Sequence, residues 1–277
     1  MNNLLLPHYN LHTTLLGGQA FNFDFDEGRY YGFTQDKVIT LQKENDVLYW
    51  QTYPTRDDLD FVKNYLRLDI NYPKIIKQIQ KDKYIKAAIK KNPNIRLLKQ
   101  DFEQALFSFL ISANNNIKSI RQIVRAMNKR FGKTINVSGE KIHLFPRTEI
   151  LAKARLEDLL SCKLGFRAKF IKSAANHLLE TNLHKTIHSL KEEEARTKLL
   201  EIKGIGNKIA DCILVFSLGF DNVTPLDVWG KRVLTDFYGL DKKMNYEKMR
   251  TWISDYFQGH TSWAGQFLFE YIRKNGK

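Results

Sequence analysis

A lysine that opens an apolar helix, directly behind two closely spaced glycines, has chemical consequences. Residues 199–218 read LLEIKGIGNKIADCILVFSL. Gly204 and Gly206 flank Ile205; the pair allows a sharp turn and lets backbone approach another molecule with no Cβ in the way. Ile209, Ile213 and Phe216 then recur at helical spacing, so a helix begins near Asn207. Its first amides have no intrahelical partner and sit at the positive end of the dipole, an arrangement that suits an anion such as a DNA phosphate. Lys208 stands at the same end. A free lysine titrates near about 10.4, and both the dipole and partial burial in a cleft lower that value. A partly neutral amine is a nucleophile able to attack carbon and form a Schiff base. Asp227 follows Thr224-Pro225-Leu226. It reads as a carboxylate that stabilises developing positive charge, as the cap of a helix over 228–237, or as both. Cys212 lies one turn from Lys208 on the same helix face.

Three further constellations stand apart from this one. Ser112-Ala113-Asn114-Asn115-Asn116-Ile117 closes an apolar run. Asparagines are poor helix formers and good caps, so the plain reading is a helix break. Their amides can also donate to and accept from base edges. In Gly165-Phe166-Arg167 a glycine permits a turn, after which an aromatic and an arginine project from a helix start; one apolar anchor is the plain reading. Gly17-Gly18-Gln19 reads as a turn or bulge.

The elements that must position these residues fall into two groups. Residues 1–54 alternate apolar and polar over Tyr30–Thr34, Lys37–Lys43 and Val47–Tyr53, which predicts a short antiparallel sheet. Thr55 with Asp58 forms a variant capping box for a helix from about 56 to 67. From there the chain reads almost wholly helical. Pro73 opens one helix, which Pro93 separates from a run over 101–111 that is hydrophobic nearly all round, hence a buried central helix. Further helices fit 115–131, 148–159, 167–180, 187–201, 207–218, 227–237, 245–257 and 261–274. The fold class is α+β: a β-rich domain over 1–70, then a mostly helical, two-lobed body over 71–277. One lobe spans 101–200; the other holds the helix-hairpin-helix of 199–218 and the C-terminal helices.

Composition narrows the partners. Lys and Arg number 44 against 30 Asp and Glu, a formal charge of +14 that favours a polyanion. The two cysteines, Cys162 and Cys212, exclude a disulfide framework and a four-cysteine iron–sulfur cluster. No stretch reaches the length of a membrane span, and the N-terminus lacks a secretion signal. The expectation is an intracellular protein of the cytoplasm or nucleoid, with no membrane partner.

The segment over 199–227 resembles the helix-hairpin-helix element of base-excision DNA glycosylases, and the four constellations in this order resemble the 8-oxoguanine DNA glycosylase/lyases over nearly the whole chain. The resemblance implies that Lys208 attacks C1′ of an extruded nucleotide and cleaves the strand by β-elimination, assisted by Asp227. It places Asn114, Asn115 and Asn116 in the duplex, Phe166 as a wedge in the stack and Arg167 against the partner base, with Gly204 and Gly206 holding a phosphate. It gives the Gly18 carbonyl to the N7–H of 8-oxoguanine, a donor that guanine lacks; leaving such a carbonyl unpaired costs about 1–3 kcal/mol. It sets Cys212 and Phe269 against the flipped base. Two departures stand out. Ser119 replaces an arginine that reads the partner base in animal relatives, and Gly265 occupies the position of a base-reading glutamine, with Gln266 one step later. The implied partner is double-stranded DNA containing 8-oxoguanine, bound by a monomer. No cofactor is required, although the carbonyls of Leu200, Ile202 and Ile205 can hold a monovalent or divalent cation, as in relatives. The alternatives are a non-catalytic helix-hairpin-helix DNA-binding protein and a monofunctional alkylated-base DNA glycosylase.

Overall fold

A computed structural model describes residues 1–275 except Arg56 and Ser138. The N-terminal region forms β1 (Asn2–Leu5), α1 (Leu11–Leu16), β2 (Phe23–Asp26), β3 (Arg29–Phe33), β4 (Val38–Glu44) and β5 (Val47–Tyr53). The strands make one antiparallel sheet in the order β1-β5-β4-β3-β2. Alternation sets its inner face: Leu48, Trp50 and Thr52 of β5 point inward while their neighbours are half-exposed. The sheet packs on α2 (Leu59–Leu66) through Phe23, Ile39, Leu41, Val62 and Tyr65.

The helical body follows as α3 (Tyr72–Ile79), α4 (Lys83–Lys91), α5 (Phe102–Ile111), α6 (Ile117–Phe131), the hairpin β6 (Thr134–Val137) and β7 (Glu140–His143), α7 (Thr148–Lys153), α8 (Leu156–Ser161), α9 (Arg167–Thr181) and α10 (Leu183–Thr186). Then come α11 (Glu192–Leu200), α12 (Asn207–Ile213), α13 (Val228–Arg232), α14 (Tyr246–Phe257) and α15 (Thr261–Asn275). Both α12 and α13 run on into a turn of π-helix, over Leu214–Leu218 and Val233–Phe237. Every residue of α5 except Glu103 is buried, as its all-round apolar pattern demands. Two straps tie the sheet to the body. Arg67 makes a bidentate pair with Asp221 at 2.9 and 3.0 Å, and the Gln19 side chain bonds the backbone of Arg96 and Leu98.

Several expected boundaries move. The helix expected from 56 begins at Leu59, because Asp58 itself is the cap, accepting from the Phe61 amide; Arg56 lies outside the described residues. The single helix expected between Pro73 and Pro93 is two, since Asp82 caps a second one through the Tyr84 and Ile85 amides. The helix over 148–159 breaks at Ala154 and Arg155, which are extended, and the second part runs to Ser161. The helix expected from 187 starts properly at Glu192, after a 3-10 turn at Ile187–Ser189. Within the body, β6 and β7 pair around Gly139, and Val137 and Leu144 pack with Val38 of the sheet.

Candidate active site

The hairpin is built as its glycines require. Gly204 adopts φ +97°, and a Cβ there would lie 2.6 Å from the Phe170 ring of α9. Only glycine combines that backbone with that contact. Gly206 is exposed, and a Cβ there would meet nothing within 4 Å, so the hairpin's outer face is open to approach. Ile202, Ile205 and Ile209 anchor the inner side. Leu200 closes α11, and the Ile202 carbonyl accepts the Ile205 amide at 3.0 Å.

Lys208 is half-buried. Its Nζ donates to Ser112 Oγ at 3.3 Å and lies 5.5 Å from the centre of the Phe109 ring. The Ser112 hydroxyl donates in turn to the Phe109 carbonyl at 2.6 Å, which turns its lone pairs toward the lysine. Cys212 is buried beside Lys208; burial pushes its thiol up to about 11, with the ammonium pulling the other way. It stays a neutral thiol at physiological pH. Asp227 caps α13, its Oδ1 accepting from the Gly230 amide at 2.9 Å.

These groups line one cleft of about 640 Å³. Lys208, Cys212 and Asp227 line it, as do Gln266 and Phe269 of α15. Gly18, at φ +104° after α1, reaches it from the sheet region, and Asn115 and Asn116 from the start of α6. The two candidate glutamine positions resolve sharply. A Cβ at Gly265 would collide with Thr224, so no side chain fits there on this backbone. Gln266 lines the cleft, is 6% exposed, and its Nε2 has no hydrogen-bond partner among the described residues. A buried amide donor left unpaired is costly.

Outside the cleft lie Asn114, Phe166, Arg167, the hairpin glycines and the three hairpin carbonyl residues. Phe166 is 55% exposed at the start of α9. Arg167 is engaged differently from the role the resemblance implies. The residue is 9% exposed, and its guanidinium donates to the carbonyls of Ala113, Asn114 and Leu164, with Nε to Ala113 at 2.8 Å. In the free protein it clips the asparagine turn, in which Asn114 takes φ +49° and Asn116 caps α6 through the Ser119 amide. Ser112 and Trp229 of the cleft had no role in the sequence reading. Ser112 was visible as the residue closing the buried helix; Trp229 is adjacent, once removed, to Asp227.

Among the described residues no helix is long and apolar enough to cross a membrane, and no group of three or more His, Cys, Asp or Glu side chains could hold a metal ion.

Known proteins share this fold. Over 97% of this chain and 93% of its own, the Clostridium acetobutylicum 8-oxoguanine glycosylase/lyase, solved with dsDNA containing cytosine opposite 8-oxoG, superposes with a TM-score of 0.90 at 28% identity. MBOgg1 in complex with a low-affinity DNA ligand superposes with a TM-score of 0.92 at 31% identity, covering 99% of this chain and 96% of that one. The N-glycosylase/DNA lyase of Saccharomyces cerevisiae is 29% identical over 269 residues, 86% of this chain and 70% of the yeast protein. Residues 4–106 match the 8-oxoguanine DNA glycosylase N-terminal domain, and residues 107–258 match the HhH-GPD superfamily of base excision DNA repair proteins. With its helix-hairpin-helix, its lysine and aspartate on one cleft and these matches end to end, the chain belongs to the HhH-GPD superfamily and carries the N-terminal domain of the 8-oxoguanine DNA glycosylases.

Proposed function

We propose that this bifunctional 8-oxoguanine DNA glycosylase/lyase works through Lys208. The observation that carries the reading is that Lys208, Asp227 and the unpaired Gln266 amide line one cleft. The flipped nucleotide enters that cleft. The Lys208 amine attacks C1′ as the bond to the base breaks, and the base leaves with the electron pair and takes up a proton. Opening of the sugar gives a Schiff base, whose electron-poor imine acidifies the C2′ proton. Loss of that proton expels the 3′-phosphate and cuts the strand. Asp227 stabilises the positive charge that develops at C1′. Ser112 accepts from Lys208 and aims its Nζ. Gln266 takes the polar edge of the base in place of a side chain at 265, Gly18 offers its carbonyl to N7–H, and Cys212 and Phe269 enclose the ring.

Asn114, Asn115, Asn116 and Phe166 fill the gap left in the duplex, while the Gly204–Gly206 hairpin holds a phosphate. Arg167 reads the partner base only by releasing the carbonyls it now clips. In this reading the chain acts as a monomer on duplex DNA, in the cytoplasm or nucleoid, and needs no cofactor. A monovalent or divalent cation fits the carbonyls of Leu200, Ile202 and Ile205, since the Ile202 oxygen keeps a second lone pair beside the Ile205 amide.

The test is Lys208→Gln. Excision and the borohydride-trapped protein–DNA adduct both disappear, while duplex affinity is retained. A variant that still cross-links to DNA would overturn the reading.

A further inference from the structure

Asp227 and Lys208 sit on different elements. Residues 219–227, which join them, form no helix or strand, so something else must hold the carboxylate in register with the amine. Tyr246, the first residue of α14, does so geometrically. Its hydroxyl donates to Asp211 Oδ2 at 2.6 Å and accepts from the Leu226 amide at 3.2 Å. Asp211 is three residues after Lys208 on α12 and fully buried. Leu226 is 2% exposed and immediately precedes Asp227. One phenol thus joins the lysine's helix to the backbone beside the aspartate.

The buried end of the bridge is rigid. Asp211 also accepts from Arg196 Nε of α11 at 3.0 Å, and Arg250 Nε lies 3.6 Å from its Oδ1. Arg196 and Arg250 are held by Glu247, Glu192 and Glu193. Burial pushes the Asp211 carboxyl above its usual range, and the Tyr246 hydroxyl is foremost among the groups that hold it down. Removing the hydroxyl leaves a buried carboxylate oxygen and the Leu226 amide without that partner, a state proteins avoid.

We propose that Tyr246 is a positioning residue for the excision step, setting Asp227 against Lys208 through the Asp211–Tyr246–Leu226 bridge. The proposal rests on the lysine–aspartate reading of the cleft.

The experiment is Tyr246→Phe in the full chain, on duplex DNA carrying 8-oxoguanine. Single-turnover excision falls on the order of tenfold, while the dissociation constant for the duplex stays within about twofold. In an Asp227→Asn background the same substitution changes the rate by less than about twofold, because residues that act through one another are not additive. A merely structural role would lower both backgrounds alike, and that additive result overturns the proposal, as does an unchanged rate in Tyr246→Phe. Should the variant fail to fold, hydrogen exchange on the unaltered protein gives a second reading. The Leu226 amide exchanges at least about 100-fold more slowly than an open amide if the bridge is made; exchange at the open rate overturns it. Lys208→Gln run alongside separates the two claims. If that variant still excises, the reading of the cleft fails; if it is dead while Tyr246→Phe is normal, only the bridge fails.

Discussion

The cleft and the rim around it are built to opposite specifications. Inside, Lys208, Cys212 and Gln266 come from helices whose other faces are packed; Lys208 Nζ is bonded to Ser112, and Gln266 Nε2 is buried with no partner among the described residues. On the rim, Phe166 is 55% exposed and Gly206 carries no side chain at all. Bond-making groups need fixed geometry, whereas groups that meet a deformable duplex need open surface and freedom to adjust. Substitutions inside should therefore change turnover at constant affinity, and substitutions on the rim should change how the duplex is opened.

The largest effect after loss of the lysine is expected at Asp227. Asp227→Asn keeps a side chain that can cap α13, so thermal stability moves by less than about 1 kcal/mol. Single-turnover excision nevertheless drops about 10²–10³-fold, the scale of a preorganised charge. A near-normal rate per folded molecule would make Asp227 a cap alone and remove the cleft's claim to the chemistry. Next comes Gln266→Ala, which takes away the only side chain the 265–266 pair can offer. Excision of 8-oxoguanine slows by roughly 10–100-fold, since one buried hydrogen bond to the base corresponds to about 1–3 kcal/mol. Binding to an abasic-site duplex, which has no base to read, stays unchanged; loss of both together would place Gln266 in the scaffold.

The rim is tested by Phe166→Ala. Exposed as it is, the side chain adds little to stability, and melting moves by less than about 0.5 kcal/mol. Excision from a paired duplex falls on the order of tenfold, part of the few kcal/mol that unstacking a step costs, and a lesion in an unpaired bubble restores the rate. Equal losses on both substrates would mean that Phe166 belongs to the cleft's machinery.

The smallest effect concerns the partner base. Ser119 supplies no bidentate contact, and Arg167 is tied to the Ala113 and Asn114 carbonyls. Preference for cytosine over adenine, guanine or thymine opposite the lesion is therefore at most about tenfold in single-turnover excision, since one decade corresponds to about 1.4 kcal/mol. A thousandfold preference would show that the rim reads sequence as rigidly as the cleft reads the lesion.

What the sequence made legible follows the range of the interactions involved. The hairpin could be read because its demands are local: Gly204 needs its φ, and Ile205 and Ile209 need their anchors within a few residues. The fold class, the buried α5 and most helices could be read for the same reason, through periodicity. Short strands escaped: β1 and β2 have four residues each, as do β6 and β7, too few for a convincing alternation. Within the site, the engagement of Arg167 was hidden because two of its acceptors, the Ala113 and Asn114 carbonyls, lie more than 50 positions away in the chain. Tyr246 was hidden for the same reason, 35 positions from Asp211. The glutamine question turned on Thr224, whose contact with Gly265 no spacing rule reveals.

The ring that fills the space at Gly204 has a second neighbour. Phe170 meets Phe166 edge-on, with ring centres 6.1 Å apart and planes at 83°. The exposed aromatic and the hairpin are thus the two ends of a short lever whose fulcrum is one buried-side ring. Close-packed contacts of this kind are nearly incompressible and pass on strain. On the proposed reading, in which Phe166 enters the base stack and the hairpin holds a phosphate, a load on that ring bears on the hairpin as well. The stiffness of the duplex and the hold on its backbone would then be coupled through the single ring of Phe170.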